Sequence, residues 1–179
     1  MTPGIVGVMR TVVLGPNPDL EAMIARRRSL GQDRFDEVWD GEYHMSPGPT
    51  GRHAMVDGEL FALVHSLAKA AGMYATTAFN LGDGPTDFRV PDGGCHRTVP
   101  TGTWIPTAAI VVEVLSPDDE TFAKFDFYAA HGVDEIIVAD PTEKTVHCFL
   151  RSGTTYAESE TSRLLGVSVS DLSTQIDWP

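Results

Sequence analysis

The chain has 179 residues, enough for one domain with a sizeable core, and its 42% hydrophobic and 21% charged content is ordinary for a globular protein. A formal net charge of −12 excludes a broad electrostatic footprint for nucleic acid and leaves such a partner only a local basic patch or bound metal ions. Cys95 and Cys148 are too few for a disulfide framework and fit a reducing cytoplasm, and the N-terminal stretch is not apolar enough for a secretion signal or a membrane span.

In chain order, residues 1–34 read as an N-terminal arm. A Pro-rich start leads into "DLEAMIARRRSLG", a short helix with Asp19 as N-cap, Gly31 as its stop, and Arg26, Arg27 and Arg28 on a solvated face. Residues 35–179 form the second unit. "DRFDEVWDGEYHM" predicts two strands joined by a turn at Asp40-Gly41, with Glu37 able to pair across the hairpin. "SPGPTG" is a loop. "HAMVDGELFALVHSLAKAAG" predicts a helix, with Val56, Leu60, Leu63, Val64, Leu67 and Ala71 on one stripe and Gly72 closing it. His53, in its first turn, lies within roughly 40° of that stripe's centre and faces inward.

"TTAFNLGDGPTDFRVPDGG" predicts a strand, a Gly/Pro turn and a short strand ending at Asp92, followed by a Gly/Thr/Pro loop over residues 93–107. A buried strand over 109–115 comes next. A helix from about Pro117 to His131 follows, with Ser116 as N-cap, Asp119 in the capping-box position and Gly132 at its end. "EIIVAD" is a strand, Asp140 before Pro141 a turn residue, and "TVHCFLR" the second arm of a hairpin. The tail from Ser152 is weakly patterned. Strand, helix and strand over 109–139 make a βαβ unit, so the fold class is α/β (α+β), a mixed β-sheet flanked by helices.

One residue is out of place. Glu113 sits inside the apolar strand, where an unpaired carboxylate would be costly to bury. It precedes Ser116 by about 10 Å at strand rise. Lys124 follows Ser116 by about 12 Å at helix rise, and a helical side chain leans toward its own N-terminus. Lys124 can therefore lie level with Glu113. Asp92 shares a face of "DFRVPD" with Phe88 and Val90, and neighbouring strands would bring it to Glu113. Two carboxylates repel; a hard divalent cation such as magnesium or manganese resolves the repulsion, and a nearby lysine can orient water or stabilise developing charge. Cys95-His96 and His147-Cys148 match no zinc spacing, and alternate strand residues face opposite sides.

"PD" followed by a glutamate on a second apolar strand resembles the PD-(D/E)XK nucleases, although Leu115 stands where that pattern places its lysine. The ordered set "DEVWDGEYHMSPGPTGRH", "DFRVPD", "VVEVLSPDDETFAKFDFYA", "GVDEIIVADP" and "TVHCF" more closely resembles the Uma-type "putative restriction endonuclease" domains of that superfamily, over residues 33–151. The resemblance implies a restriction-endonuclease-like sheet over residues 35–179. It implies Asp92 and Glu113 as ligands of Mg2+ or Mn2+, and Lys124 as a lysine moved onto the following helix. Glu37 and His53 would line the same cleft. The implied activity is metal-dependent hydrolysis of DNA phosphodiester bonds. Two alternatives stay open: a catalytically inert interaction module on the same fold, and a hydrolase of a small phosphoester. No membrane partner is expected, and an apolar patch on the hairpin would support a homodimer.

Overall fold

The computed structural model describes residues 18–117 and 120–179. Asp119, expected in a capping box, lies outside them.

Helix α1 (Pro18–Ser29) begins one residue ahead of Asp19, which therefore sits in the first turn and not at the cap. Leu20 and Ile24 pack on Val38 and Tyr43. Arg27 is not on a solvated face: its guanidinium forks onto Asp36 with Nε at 2.8 Å and Nη2 at 2.7 Å. Asp36 is buried and also accepts from the Tyr43 hydroxyl and the Ser46 amide. Such a bidentate charge-assisted pair fixes geometry as well as adding energy.

Strands β1 (Glu37–Trp39) and β2 (Glu42–His44) form the expected hairpin, with Asp40 (φ 50) and Gly41 (φ 86) both in the left-handed region that a two-residue turn requires. Helix α2 (Gly51–Ala70) is capped by Thr50, whose hydroxyl accepts from the His53 amide. Strands β3 (Tyr74–Thr77), β4 (Asn80–Gly84), β5 (Asp87–Arg89), β6 (Gly93–His96), β7 (Trp104–Ile105) and β8 (Ile110–Val114) follow. A 3-10 turn (Thr121–Lys124) leads into α3 (Phe125–Ala130). The chain closes with β9 (Glu135–Asp140), β10 (Thr145–Ser152), β11 (Thr155–Ser159), β12 (Thr161–Ser162), β13 (Val167–Ser168) and α4 (Val169–Gln175).

The larger strands divide between two sheets, ordered β2-β1-β5-β4-β7 and β11-β10-β9-β8-β6-β3. β8 and β9 run parallel around α3, and the other pairs of the six-stranded sheet are antiparallel. β8 is buried on both faces. Ile110, Val112 and Val114 meet Val56, Leu60 and Val64 of α2, while Val111 packs with Tyr128, Ile136 and Val138. Glu113 shares the face of Val111, toward α3.

Two expectations are corrected here. Residues 93–96 are a fully buried strand between β3 and β8, not a loop. The glycines that hid it are required by packing: a Cβ on Gly94 would lie 2.7 Å from the Phe79 ring and 2.9 Å from the Ile110 carbonyl oxygen. The helix after β8 also starts later than predicted. Glu120 stands at the N-cap of the 3-10 turn, and the Ser116 hydroxyl lies beside Nδ1 of His53. The tail, weakly patterned in sequence, is anchored by buried Glu135, which accepts from Ser162 Oγ at 2.6 Å and from the amides of Arg163 and Leu164. Asp140 accepts from the Thr142 and Glu143 amides, as a turn aspartate does. Among the described residues no helix is long and apolar enough to cross a membrane.

Candidate active site

Asp92 reaches Glu113 by a route the sequence did not suggest. The strand "DFR" belongs to the smaller sheet, and the chain crosses to the larger one at 90–92. Because Gly93 then pairs with Val112, Asp92 arrives opposite Glu113 at the carboxyl end of β8. Its Oδ2 accepts from the Val114 amide at 2.8 Å, and its Oδ1 lies 3.1 Å from Nε2 of His53 in the first turn of α2.

Lys124, the last residue of the 3-10 turn, lies 2.9 Å from Oε1 of Glu37 and 3.3 Å from Oε1 of Glu113. The late helix start does not spoil the reach, because the 3-10 turn covers more distance per residue than an α-helix. Glu37 is engaged at both oxygens: Oε1 also accepts from the Val90 amide at 2.8 Å, and Oε2 from the Trp39 indole at 2.6 Å. Its part in the geometry is to hold the lysine. Glu113 differs. Oε1 takes the Tyr128 hydroxyl and Lys124, while Oε2 takes no protein donor among the described residues.

Charge is uneven here. Three carboxylates surround one ammonium. Burial above all pushes the Glu113 carboxyl up to about 8; Lys124 opposes this, and Asp92 and Glu37 add to it. Burial also raises the Tyr128 hydroxyl, with Glu113 the next cause. Asp57, one turn after His53, is pushed up to about 6 by burial and then by Asp92, with His53 opposing.

Four neighbouring residues were missed by the sequence reading. Tyr128 was not assigned to Glu113, although its spacing of four from Lys124 was the signal. Asp57 stands in the same relation to His53. Trp39 and Ser116 carried no signal, since their partners depend on the hairpin and on the loop after β8. Arg89, buried at 5% exposure, lies between the rings of Trp39 (4.5 Å) and Phe127 (4.0 Å), and so ties the hairpin of Glu37 to α3.

The donor set suits a hard cation. Among the described residues no group of three His, Cys, Asp or Glu side chains is arranged to hold an ion by itself. Magnesium does not need one, because it is commonly held by one or two carboxylates and keeps several waters. Asp92 and Glu113 are the two carboxylates that could hold such an ion. Cys95 and Cys148 are both buried, free thiols.

With this geometry in place, the sequence match is decisive: the family model Uma2, described as "Putative restriction endonuclease", covers residues 20–178. The protein belongs to the Uma2 family. The matched stretch takes in most of α1, all of α4 and every strand between them. A crystal structure of a "putative nuclease belonging to DUF820" from Anabaena variabilis superposes with a TM-score of 0.62 at 18% identity, covering 79% of this chain and 90% of that one. The Uma2 chain thus has a nuclease-like α+β fold, as the sequence motifs implied. A cryo-electron-microscopy structure of a DrdV–DNA complex aligns with a TM-score of 0.42 at 15% identity, over 73% of this chain and 12% of that one. No curated protein matches the chain.

Proposed function

We propose that this protein is a metal-dependent endonuclease that hydrolyses DNA phosphodiester bonds, with Asp92 and Glu113 holding Mg2+ or Mn2+. The observation that carries the reading is the meeting of Asp92, Glu113 and Lys124 at the end of β8, in a chain of a nuclease family.

A bound divalent ion would supply Lewis acidity and a water of lowered pKa. The protein's own groups do the rest. The Tyr128 hydroxyl donates to Oε1 of Glu113, and Oε2 takes no protein donor among the described residues. Glu37 holds the Lys124 ammonium beside Glu113, at 2.9 Å against 3.3 Å to Glu113 itself. There it would stabilise charge that develops on the phosphate oxygens. His53 and the Val114 amide restrict Asp92 to one orientation.

The inert-module reading draws on one specific contact, the Lys124–Glu113 pair, which partly neutralises the site without an ion. Calorimetric titration with Mg2+ and Mn2+ separates the two. The endonuclease reading expects binding by the wild type, its loss in Asp92→Asn and Glu113→Gln, and Mn2+-dependent nicking of supercoiled plasmid that Lys124→Ala abolishes. A wild type that binds neither ion overturns it.

A further inference from the structure

Ser116 has no part in the reading above, yet its placement is specific. Its Oγ lies 2.9 Å from Nδ1 of His53, and Nε2 of the same ring lies 3.1 Å from Oδ1 of Asp92. The Asp92 carboxylate is then closed on its other side by the Val114 amide, 2.8 Å from Oδ2. A continuous chain therefore runs from the loop after β8, through the first turn of α2, to the start of β6.

The chemistry of each link restricts the next. A carboxylate only accepts, so Nε2 of His53 must carry a proton. Nδ1 is then an acceptor in the neutral ring and a donor in the charged one. A hydroxyl serves both cases, because it can donate or accept by rotating. Turning the ring over would present carbon atoms to both Ser116 and Asp92, so the two bonds together select one ring orientation. Each Asp92 oxygen accepts one of these bonds and keeps a second lone pair. The carboxylate is held in place without being used up. His53 is part-buried, with 12% of its side chain exposed, so water competes little for these bonds.

We infer that Ser116 is a positioning residue, which acts through His53 to hold the Asp92 carboxylate ready for a divalent cation. The inference rests on the metal reading proposed above. It gives the hydroxyl that the sequence offered as a helix cap a role toward His53.

The test is the affinity for Mn2+ alone, measured by calorimetry on the full chain at one pH. Supporting partners of metal ligands typically contribute about 10–100-fold in affinity, and Ser116→Ala is expected to weaken binding by that factor. Ser116→Thr, which keeps the hydroxyl, should return to within a few-fold of the wild type. Unfolding of each variant in EDTA, followed by circular dichroism, should stay close to the wild type, since a general loss of structure would move it. Wild-type affinity in Ser116→Ala overturns the inference while leaving the metal reading intact. So does nitrogen coupling from a directly bound imidazole in the electron spin-echo spectrum of the Mn2+-loaded wild type, because His53 would then be a ligand and not an intermediary. Absence of Mn2+ binding by the wild type overturns the metal reading, and this inference falls with it.

Discussion

Glu113 on β8 and Glu135 on β9 are both 3% exposed, on adjacent parallel strands, and their surroundings are opposite in kind. Glu135 meets neutral donors only: the Ser162 hydroxyl and two consecutive backbone amides cover both its oxygens. Glu113 meets one ammonium, one hydroxyl and two further carboxylates, and one of its oxygens takes no protein donor among the described residues. A carboxylate buried for architecture is fully satisfied, as buried polar groups ordinarily are. One buried among like charges raises the energy of the folded state unless something else binds there. The contrast separates an anchor from a site.

The largest effect should come from removing the anchor. Glu135→Ala strands the Ser162 hydroxyl and the two amides, and a loss on the order of 3 kcal/mol or more is expected in urea unfolding. A loss below about 1 kcal/mol would break the comparison, since Glu135 would then be no anchor.

Glu113→Gln should act in the other direction, and with pH. The folded-state pKa of about 8 lies above the usual 4.5, so the stability this group contributes is present at low pH. It is fully present below about pH 4.5 and lost as pH rises through 8. In EDTA the wild type should therefore lose stability between about pH 5 and pH 8 relative to Glu113→Gln, by on the order of 2 kcal/mol. Parallel stability curves for the two proteins would show that Glu113 is as well satisfied as Glu135.

A smaller change sharpens the anchor end. Ser162→Ala removes one of the neutral donors to Glu135 and the acceptor of the Leu165 amide, and about 1–2 kcal/mol should be lost in the same unfolding measurement. The smallest effect is none at all. Burial foremost, and then the charge of Glu135, hold the Cys95 and Cys148 thiols at about 12. Neither should react with iodoacetamide in the folded protein at about pH 8, and both should react in urea. Rapid alkylation of the native protein would mean that the sheet opens readily at β6 or β10.

Much of this site was legible in the sequence because it depends on local geometry. A charge inside "IVVEV" is anomalous on its face, and a strand that turns back into a helix brings a residue eleven further on to its level. His53 could be placed because its helix has a clear apolar stripe. β6 was hidden because "GGCH" carries none of the β-branched residues that mark a buried strand, and Gly94 answers to Phe79, a residue of another segment. The His53 contact of Ser116 was hidden for a related reason. A serine before proline is a good cap by local rules, and nothing local records that His53, 63 positions away, meets the same hydroxyl. Arg27 too was read as solvated, since the pairing with Asp36 exists only once α1 docks on the hairpin.

By itself, then, the sequence determined the βαβ unit, the inward-facing histidine and the pairing of Glu113 with Lys124, because each follows from rise, period and turn over a few tens of residues. Only the tertiary structure decided that the chain divides between two sheets, and that Asp92 reaches Glu113 through β6 and not through β5. It also decided which buried carboxylate is satisfied and which is left crowded. The physical reason is that hydrogen-bond partners of a buried charge are supplied by whatever segments packing brings together, and no local pattern records them.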